Sequence, residues 1–281
     1  MTDNRTTIAR SYLQKLELEI PCVDDLDSDR SALKVDFLNQ LQSRHIAQFS
    51  FNSLAVVLGQ ELPLDLASLF EKIVIKGRGG YCFEHNKLIF NVLETMGFDV
   101  RLLLARVTYN RDVDSARTHR VTLVTLGEDQ YIVDGGFGHL GARKPVKLTL
   151  GLEQIQGSER FRIIKDTSQL YYHYQVFKDG DFFTLYTFDF NHYTEADCSV
   201  GHFYSHRHPD AAFVNNLVIC RKYSDRIDSL RNDELHRVDS EGTSITKLSS
   251  SHDLHQALTG VFEIEVDVAI SEFLFSKFSS S

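Results

Sequence analysis

Hydrophobic positions in the first third of the chain recur at the spacing of amphipathic helices. Residues 6–18 carry apolar side chains three or four positions apart, behind a threonine that can cap a helix. Residues 28–45 and residues 64–74 follow the same period, and Asp65 is a candidate N-cap for the latter stretch. The pattern therefore predicts three helices in this part of the chain.

A fourth helix is predicted directly after the glycines of RGGYCFEHN, residues 78–86. Gly97 is suited to end this helix, because glycine readily adopts the left-handed conformation found at helix C-termini. Cys82 falls at the beginning of the helix. The apolar stripe of the helix consists of Leu88, Ile89, Val92, Leu93 and Met96.

Beyond residue 97 the hydrophobic period changes to two, which is typical of β-strands. The short turns GED and DGD separate neighbouring strands and predict antiparallel hairpins. This middle section is predicted to be an antiparallel sheet, either closed into a barrel or open. The predicted strands cover residues 98–109, 119–126, 130–134, 160–165, 171–178 and 182–188.

The pattern past residue 190 is mixed. A histidine-rich stretch to about Pro209 is predicted to be helical or irregular, and strands are predicted over residues 215–223 and within residues 226–248. The chain thus divides into helices, then strands, then a mixed C-terminal part that packs against them. A final helix is predicted to have an apolar face made of Ile270, Phe273 and Leu274.

Composition narrows the possible functions. The chain has 281 residues and a formal net charge of −9, and this acidic balance disfavours binding to nucleic acid. The N-terminus is polar and lacks the apolar segment of a signal peptide, and no apolar run is long enough to span a bilayer. We therefore expect a cytoplasmic protein that does not bind membranes.

The four cysteines are far apart and include no C-x-x-C pair, so the sequence predicts neither a metal site nor a dithiol redox site. Three of them, Cys22, Cys198 and Cys220, are interpreted as packing residues with free thiols. Cys82 differs, because the positive end of the following helix would lower the pKa of its thiol. The two glycines before it would let a substrate approach closely. Cys82 is therefore the predicted nucleophile.

A thiol nucleophile needs a base, and His119 is the strongest candidate among the twelve histidines. If the strand that begins at His119 pairs with the next strand through the turn at residues 127–129, His119 and Asp134 lie at the same end of the hairpin. A carboxylate in that position would orient the imidazole. The DGGFG segment places three glycines around Phe137, which indicates either backbone amides close to a bound molecule or a simple turn.

Three segments, RGGYCFEHN, THRVTLV and VDGGFG, resemble the signature segments of the arylamine N-acetyltransferases, and LQSRHIAQFSFNSL is similar to a fourth block of that family. The resemblance covers nearly the whole chain. It implies an α+β multidomain fold with a cysteine-protease-like Cys-His-Asp core. The implied domains are a helical domain over residues 1–90 that carries the nucleophile, a central antiparallel β-barrel or sheet over residues 91–200 that carries the histidine and the aspartate, and a C-terminal α/β lid over residues 201–281.

The catalytic residues implied by this resemblance are Cys82, His119 and Asp134, the same three that their chemistry suggests. The implied reaction is a ping-pong transfer of acetyl from acetyl-CoA to an arylamine or arylhydrazine nitrogen through an acetyl-cysteine, with no metal. We expect a monomer or a weak homo-oligomer. The residues implied to line the substrate and coenzyme cleft are Phe137, Gly138, Tyr204 and Phe213.

The chain departs from the family pattern outside the triad. The family's acidic residue and proline are missing from SFNSL, and VDGGFG has a glycine where the family usually has a valine. His202, Arg207 and Ala212 replace an asparagine, a threonine and a serine of the family. Arg207, beside His206 and His208, would either contact a coenzyme phosphate or lie in a solvated surface loop.

Three alternatives remain open on the sequence. An amide synthase of the same family would close a polyketide chain into a macrolactam. A hydrolase or transglutaminase with Cys-His-Asp geometry would use a peptide or glutamine donor and would not need CoA. A small-molecule binding protein would have kept the fold without the activity.

Overall fold

The computed structural model describes residues 2–19, 31–111, 114–168 and 170–279, so the predicted packing role of Cys22 lies outside the described residues. Within these ranges no helix has both the length and the apolar character needed to cross a membrane. The helices are α1 (Thr2–Lys15), α2 (Ser31–Gln48), α3 (Leu54–Val57), α4 (Leu66–Leu69), α5 (Cys82–Thr95), α6 (Glu195–Arg207), α7 (Ala212–Asn215), α8 (Ser251–Gln256) and α9 (Val268–Phe278). Wider π-helical turns extend α4 over Phe70–Ile75 and α8 over Ala257–Val261.

The strands form two antiparallel sheets. The strands are β1 (Phe51–Asn52), β2 (Asp99–Val107), β3 (Arg117–Leu126), β4 (Asp129–Val133), β5 (Val146–Lys147), β6 (Gln154–Gln156), β7 (Glu159–Lys165), β8 (Tyr172–Lys178), β9 (Asp181–Phe188), β10 (Val218–Lys222), β11 (Ile227–Arg231), β12 (Glu234–Asp239) and β13 (Gly242–Lys247).

The four helices predicted in the first part of the chain are confirmed as α1, α2, α4 and α5. Asp65 caps α4, because its carboxylate accepts a hydrogen bond from the Ser68 amide at 3.0 Å. Gly97 has a φ of +83° just after α5, which is the conformation that ends a helix. Asp65 and Gly97 therefore begin and end their helices as the sequence predicted.

Helix α5 lies between the other N-terminal helices and the central sheet. Leu88, Ile89, Val92 and Leu93 are buried and pack with side chains of α1, α2, β3 and β4. Burying a side chain of this size contributes about 1.5–3 kcal/mol of hydrophobic stabilisation. This packing holds the N-terminal end of α5, with Cys82, against the sheet.

The larger sheet has eight strands in the order β5-β4-β3-β2-β9-β8-β7-β6 and is nearly closed into a barrel. Its two edges are joined by side-chain amides. Gln154 in β6 donates to the Lys147 carbonyl and accepts from the Lys147 amide, both at 2.8 Å. Gln156 forms the same pair of bonds with Lys144, at 2.8 and 3.0 Å. The two glutamines thus replace the backbone hydrogen bonds that would complete the barrel.

The smaller sheet has the order β1-β10-β11-β12-β13. Strand β1 comes from the N-terminal part of the chain and pairs with β10, with Phe51 opposite Cys220. Helices α8 and α9 pack on this sheet through a separate apolar cluster. The N-terminal part therefore contributes a strand to the C-terminal sheet.

Two predictions for the C-terminal part need comment. The histidine-rich stretch is helical, as α6. The predicted apolar face of the last helix is wrong at Phe273, which is 50% exposed, whereas Leu274 is fully buried. Only one narrow side of α9, with Ser271 and Leu274, is buried, and Phe273 is turned about 100° away from Leu274. The ammonium of Lys277 lies 5.7 Å from the Phe273 ring.

Candidate active site

Cys82 is the first residue of α5, and the loop before it is tightly packed. Gly79 has a φ of +60°, and a side chain there would overlap the Ser50 carbonyl oxygen. The carboxylate of Glu84 accepts a hydrogen bond from the Tyr81 amide at 3.2 Å and so caps the helix. The thiol is therefore presented by a backbone that has little room to move.

The thiol of Cys82 is buried, with 4% of the residue exposed, and donates to the Thr118 carbonyl oxygen at 3.5 Å. Burial raises the pKa of Cys82 well above its ordinary value, and the negative charge of Asp134 raises it further. The Phe83 amide at the start of the helix acts in the opposite direction but is outweighed. The expectation that the helix end by itself lowers the pKa of the thiol is therefore wrong.

His119 and Asp134 lie together at the open end of the hairpin formed by β3 and β4. The last paired positions of this hairpin are Thr122 and Val133, and the two side chains meet just beyond them. His119 Nε2 lies 2.7 Å from Asp134 Oδ2, and both residues are almost inaccessible to solvent. Burial by itself would raise the pKa of Asp134, but the imidazole and the hydrogen bonds to the carboxylate lower it. The carboxylate is thus held in its ionised form.

Cys82 and His119, both among the described residues, form no hydrogen bond with each other. The thiol contacts the carbonyl of Thr118, the residue immediately before His119. Because Asp134 engages Nε2 of His119, the other ring nitrogen, Nδ1, is the one available to a thiol proton. The thiol must therefore turn away from Thr118 before it can meet the imidazole.

The DGGFG segment covers the thiol and the histidine. A Cβ atom at Gly136 would lie 2.9 Å from the Cys82 Cα atom, so only glycine allows this approach. The Phe137 ring stands edge-on to the His119 ring, with centroids 5.2 Å apart. Gly138 follows with a φ of +90°. The segment thus forms one wall around Cys82 and His119 and is more than a simple turn.

Comparison with known proteins identifies the family. Residues 34–271, most of the chain, match the family model described as N-acetyltransferase. The chain belongs to the N-acetyltransferase family. It is therefore an acyltransferase, as its resemblance to that family implied.

Relatives within this family align with this chain over most of their own length. The chain is 35% identical to the arylamine N-acetyltransferase of Escherichia coli K12, over 70% of each chain. It is 32% identical to the arylamine N-acetyltransferase of Mycolicibacterium smegmatis, over 82% of this chain and 85% of the relative. The solved structure of the Mycobacterium marinum arylamine N-acetyltransferase in complex with CoA superposes with a TM-score of 0.85 at 27% identity, covering 96% of this chain and 98% of that one. The fold implied by the family resemblance is thereby confirmed.

The two remaining residues that the resemblance placed in the cleft lie in different surroundings. Phe213 in α7 packs against Phe51 and against Tyr81, with ring centroids 5.7 and 5.8 Å apart. Tyr204 in α6 is 36% exposed and stacks on His208 at 4.5 Å. Of the two, Phe213 is the one that packs beside the segment bearing the thiol.

Two departures from the family pattern are structural. The imidazole of His202 is hydrogen-bonded through Nδ1 to the Tyr81 hydroxyl, and its Nε2 donates to the Leu62 carbonyl at 2.9 Å. Arg207 forms an ion pair with Glu61 at 2.9 Å. The interpretation of Arg207 as part of a solvated loop is wrong, because it is the last residue of α6 and is held by that carboxylate.

Two polar residues that sequence reasoning missed hold Asp134 in place. Gln42 accepts a hydrogen bond from the Asp134 amide at 3.0 Å, and Asn86 donates to the Asp134 carboxylate at 2.8 Å. Asn86 carried a usable signal, because it follows Cys82 by four residues and so shares its face of α5. Gln42 carried none, since a glutamine within an amphipathic helix is ordinary. Across the described ranges, no cluster of three or more histidine, cysteine, aspartate or glutamate side chains is arranged to hold a metal ion.

Proposed function

We propose that this chain is an arylamine N-acetyltransferase that transfers an acetyl group from acetyl-CoA to the nitrogen of an arylamine or arylhydrazine. Family membership supports the reaction, and the names of the relatives support the acceptor. The observation that carries the proposal is the buried thiol of Cys82 beside the hydrogen-bonded pair of His119 and Asp134. Cys82 is the nucleophile, His119 the base, and Asp134 the carboxylate that orients the base.

In the first half-reaction the thiol proton passes to His119 Nδ1 and the Cys82 sulfur attacks the thioester carbonyl of acetyl-CoA. The bond from that carbonyl to the CoA sulfur breaks, and the CoA thiolate takes the proton from the imidazolium as it leaves. The acetyl group stays on Cys82. Because burial raises the pKa of the thiol, the thiolate forms together with the imidazolium, whose charge compensates it. The ionised Asp134 stabilises that imidazolium.

In the second half-reaction the acceptor nitrogen attacks the acetyl thioester. His119 takes the amine proton and returns it to the Cys82 sulfur as the carbon–sulfur bond breaks, which restores the free thiol. Transfer from one sulfur to another is nearly isoenergetic, whereas the amide product is more stable than the thioester. Backbone amides near Cys82 would hold the oxyanion, an effect worth about 3–4 kcal/mol in other acyl-transfer enzymes.

The aromatic wall beside the thiol suits a planar acceptor. Phe137 contacts the His119 ring and lies 5.9 Å from Tyr109, measured between ring centroids. Stacked or edge-on aromatic contacts contribute about 0.5–1.5 kcal/mol beyond simple burial. We assign Phe137, Gly138 and Phe213 to the acyl and amine pocket, and Tyr204 to the outer part of the cleft.

Lysine and arginine side chains within electrostatic range of His139, next to this wall, suit the phosphates of acetyl-CoA. The surrounding protein lowers the pKa of His139 to about 4, first by desolvation and then through the charges of Lys222, Lys178, His236 and Arg231. Lys222 is already paired with Glu159 at 2.8 Å, so we assign Arg231 to the phosphates. We expect the variant R231A to raise the KM for acetyl-CoA about tenfold, since a hydrogen bond to a charged group is worth about 1.5–3 kcal/mol.

Initial-rate kinetics with varied acetyl-CoA would measure this effect. The matched control is R160A, because Arg160 pairs with Glu153 at 3.2 Å on an exposed part of β7. An unchanged KM in R231A would remove Arg231 from the coenzyme site and leave the triad assignment untouched.

Several further expectations belong to the same proposal. Acceptors are small molecules, and the protein is cytoplasmic and either monomeric or a weak homo-oligomer. The proposal keeps the domain division at residues 1–90, 91–200 and 201–281. Strands β2 to β9 fall within the middle range, whereas residues 90 and 200 lie inside α5 and α6. Strand β1 ties the first range to the third.

The direct test is the mass of the intact protein after mixing with acetyl-CoA. We expect a single acetyl adduct on wild type that is absent from C82A. The matched control is C220A, because Cys220 is also a buried free thiol and should leave the adduct in place. Acetylation that persists in C82A, or none in wild type, would contradict the proposal.

A further inference from the structure

Asn86 is a fully buried amide that lies one helical turn after the nucleophile. It follows Cys82 by four residues on α5, so the two side chains project from the same face of the helix. Asn86 is 0% exposed to solvent. A buried amide in this position must find partners for its two N–H donors and its carbonyl oxygen.

All three hydrogen-bonding groups of Asn86 are satisfied by the segments that carry the base and the carboxylate. Nδ2 donates to Oδ1 of Asp134 at 2.8 Å and to the carbonyl of Arg120, the residue after His119, at 2.5 Å. Oδ1 accepts from the Gly135 amide, immediately after Asp134, at 2.9 Å. One side chain on the nucleophile helix is therefore bonded to β3 and to the segment that directly follows β4.

The bond to Asp134 also decides which carboxylate oxygen serves the histidine. Oδ1 of Asp134 accepts from Asn86 and from the Gly136 amide, the latter at 3.1 Å, which leaves Oδ2 for Nε2 of His119. Without these donors the carboxylate could rotate about its side-chain bonds. The imidazole would then lose the partner that sets its tautomer and stabilises its charge.

We propose that Asn86 is the positioning residue that couples the nucleophile helix to the base and its carboxylate. This inference rests on the proposed function for its catalytic meaning, although its geometric part stands on the hydrogen bonds alone. The hydrogen bonds of Asn86 go to Asp134 and to the backbone, and none goes to the Cys82 sulfur. Asn86 acts through Asp134 and the backbone on either side of the hairpin opening.

Two variants test this proposal. N86A removes all three groups, and N86D keeps the size and the acceptor for Gly135 but replaces the donating amide with a carboxyl group. In single-turnover acetylation by acetyl-CoA we expect both to be slower than wild type by on the order of 100-fold, because a displacement of about 1 Å costs that much. The affinity for CoA, measured by titration calorimetry, should stay unchanged.

A second readout separates positioning from simple support of the core. The alkylation rate of Cys82 by iodoacetamide, followed against pH, reports how readily the thiolate forms. In N86A we expect its midpoint to move to higher pH, because a misplaced Asp134 no longer stabilises the imidazolium that accompanies the thiolate. A purely structural amide would change the unfolding midpoint in urea and leave this pH midpoint where it is in wild type.

The matched control is N91A. Asn91 is a buried asparagine of the same helix, five residues further on and so turned about 140° from Asn86. Its side-chain oxygen accepts from Arg5 at 3.0 Å, away from the hairpin. N91A should keep the wild-type acetylation rate and alkylation midpoint.

The outcomes are distinct. If N86A and N86D acetylate within threefold of wild type and keep its alkylation midpoint, Asn86 is a core residue only and the inference is overturned. If N86A does not fold, the isosteric N86D decides. If wild type forms no acetyl adduct, the proposed function fails, but the alkylation midpoints, which need no acetyl-CoA, still decide the role of Asn86.

Discussion

Two buried histidine arrangements lie beside the segment that begins at Asp134, and they differ in the chemistry of their partners. One is the pair of His119 and Asp134, in which an imidazole meets an ionised carboxylate at 2.7 Å. The other is the pair of His45 and His85, whose Nε2 and Nδ1 atoms are 2.7 Å apart. All four residues are at most 3% exposed, so depth of burial does not distinguish the two arrangements.

The second arrangement is a chain of neutral hydrogen bonds. The Ser50 carbonyl can only accept, so Nε2 of His85 donates to it, at 3.1 Å. Nδ1 of His85 then accepts from His45, and Nδ1 of His45 accepts from the Tyr12 hydroxyl at 2.8 Å. One assignment of protons therefore satisfies every group without any charge.

The two arrangements differ in whether a charged partner lies beside the imidazole. Burial lowers the pKa of His45 well below its ordinary value and the pKa of His85 to about 4. His119 has the carboxylate of Asp134 to balance an added charge. The first arrangement therefore contains the charged partner that the proposed base needs, and the second contains none.

The largest effect is expected from removing the negative charge of Asp134, which distinguishes the two histidine arrangements. D134N keeps the size of the side chain but removes the carboxylate, so His119 loses its charged partner and its tautomer is no longer set. We expect the acetylation rate of Cys82 to fall by about 10⁴-fold, as in other enzymes with this type of triad. Rapid-quench single-turnover measurement checks this.

The control for that prediction is D228N, because Asp228 is a fully buried carboxylate in the other sheet that pairs with Arg226 and Arg237. It should keep the acetylation rate even if it unfolds more easily. A D134N rate within tenfold of wild type would mean that His119 does not depend on a carboxylate, and the contrast between the two histidine arrangements would disappear.

The second prediction concerns how stability depends on pH through the uncharged hydrogen-bonded residues Tyr12, His45 and His85. The pKa of His85 is lower in the folded state, about 4, than in the unfolded chain, about 6.5. The unfolded state therefore binds more protons below pH 6.5, and stability is lost as the pH falls toward 4. We expect wild type to lose roughly 3 kcal/mol more than H85Q between pH 7 and pH 4.

Urea unfolding of both proteins at the two pH values measures this difference. The comparison with the variant removes the contribution of carboxylates that titrate in the same range. If the two proteins lost stability equally, His85 would not be held neutral by burial, and the second arrangement would have to be described as one that accepts charge.

The smallest effect is expected at the end of the neutral chain. Y12F removes one hydroxyl and leaves the ring, so Nδ1 of His45 loses its donor at 2.8 Å. We expect the free energy of unfolding to fall by about 1–3 kcal/mol, the cost of an unsatisfied buried group. The acetylation rate should not change. A rate loss comparable to that of D134N would show that the neutral chain takes part in catalysis.

The role of a residue can be predicted from the sequence when it depends on neighbours in the chain, but not when it depends on contacts with distant segments. Cys82 could be located because glycines precede it and a helix follows, and the pairing of His119 with Asp134 could be expected from one hairpin. The hydrogen bonds of Asn86 and Gln42 could not, because they join helices to a hairpin about 50 and 90 residues away. Their partners exist only after the helices have packed.

The same distinction applies to the fold. Long periodic segments such as α2 and β3 were predictable from their own residues. The closure of the eight-stranded sheet was not predictable. Gln154 and Gln156 bridge its edges with side-chain amides, and an alternating hydrophobic pattern carries no information about such bridges. The raised pKa of Cys82 was missed for a related reason, because burial and the charge of Asp134 come from tertiary packing.

The proposed mechanism requires that the thiolate of Cys82 form together with an imidazolium on His119. Its most direct test is the pH dependence of Cys82 alkylation by iodoacetamide in wild type and in H119Q. We expect wild type to react with a midpoint below the value of about 8.5 for a free thiol, and H119Q to shift the midpoint upward because burial and Asp134 then act alone. A midpoint at or above the free-thiol value in wild type, unchanged in H119Q, would contradict it.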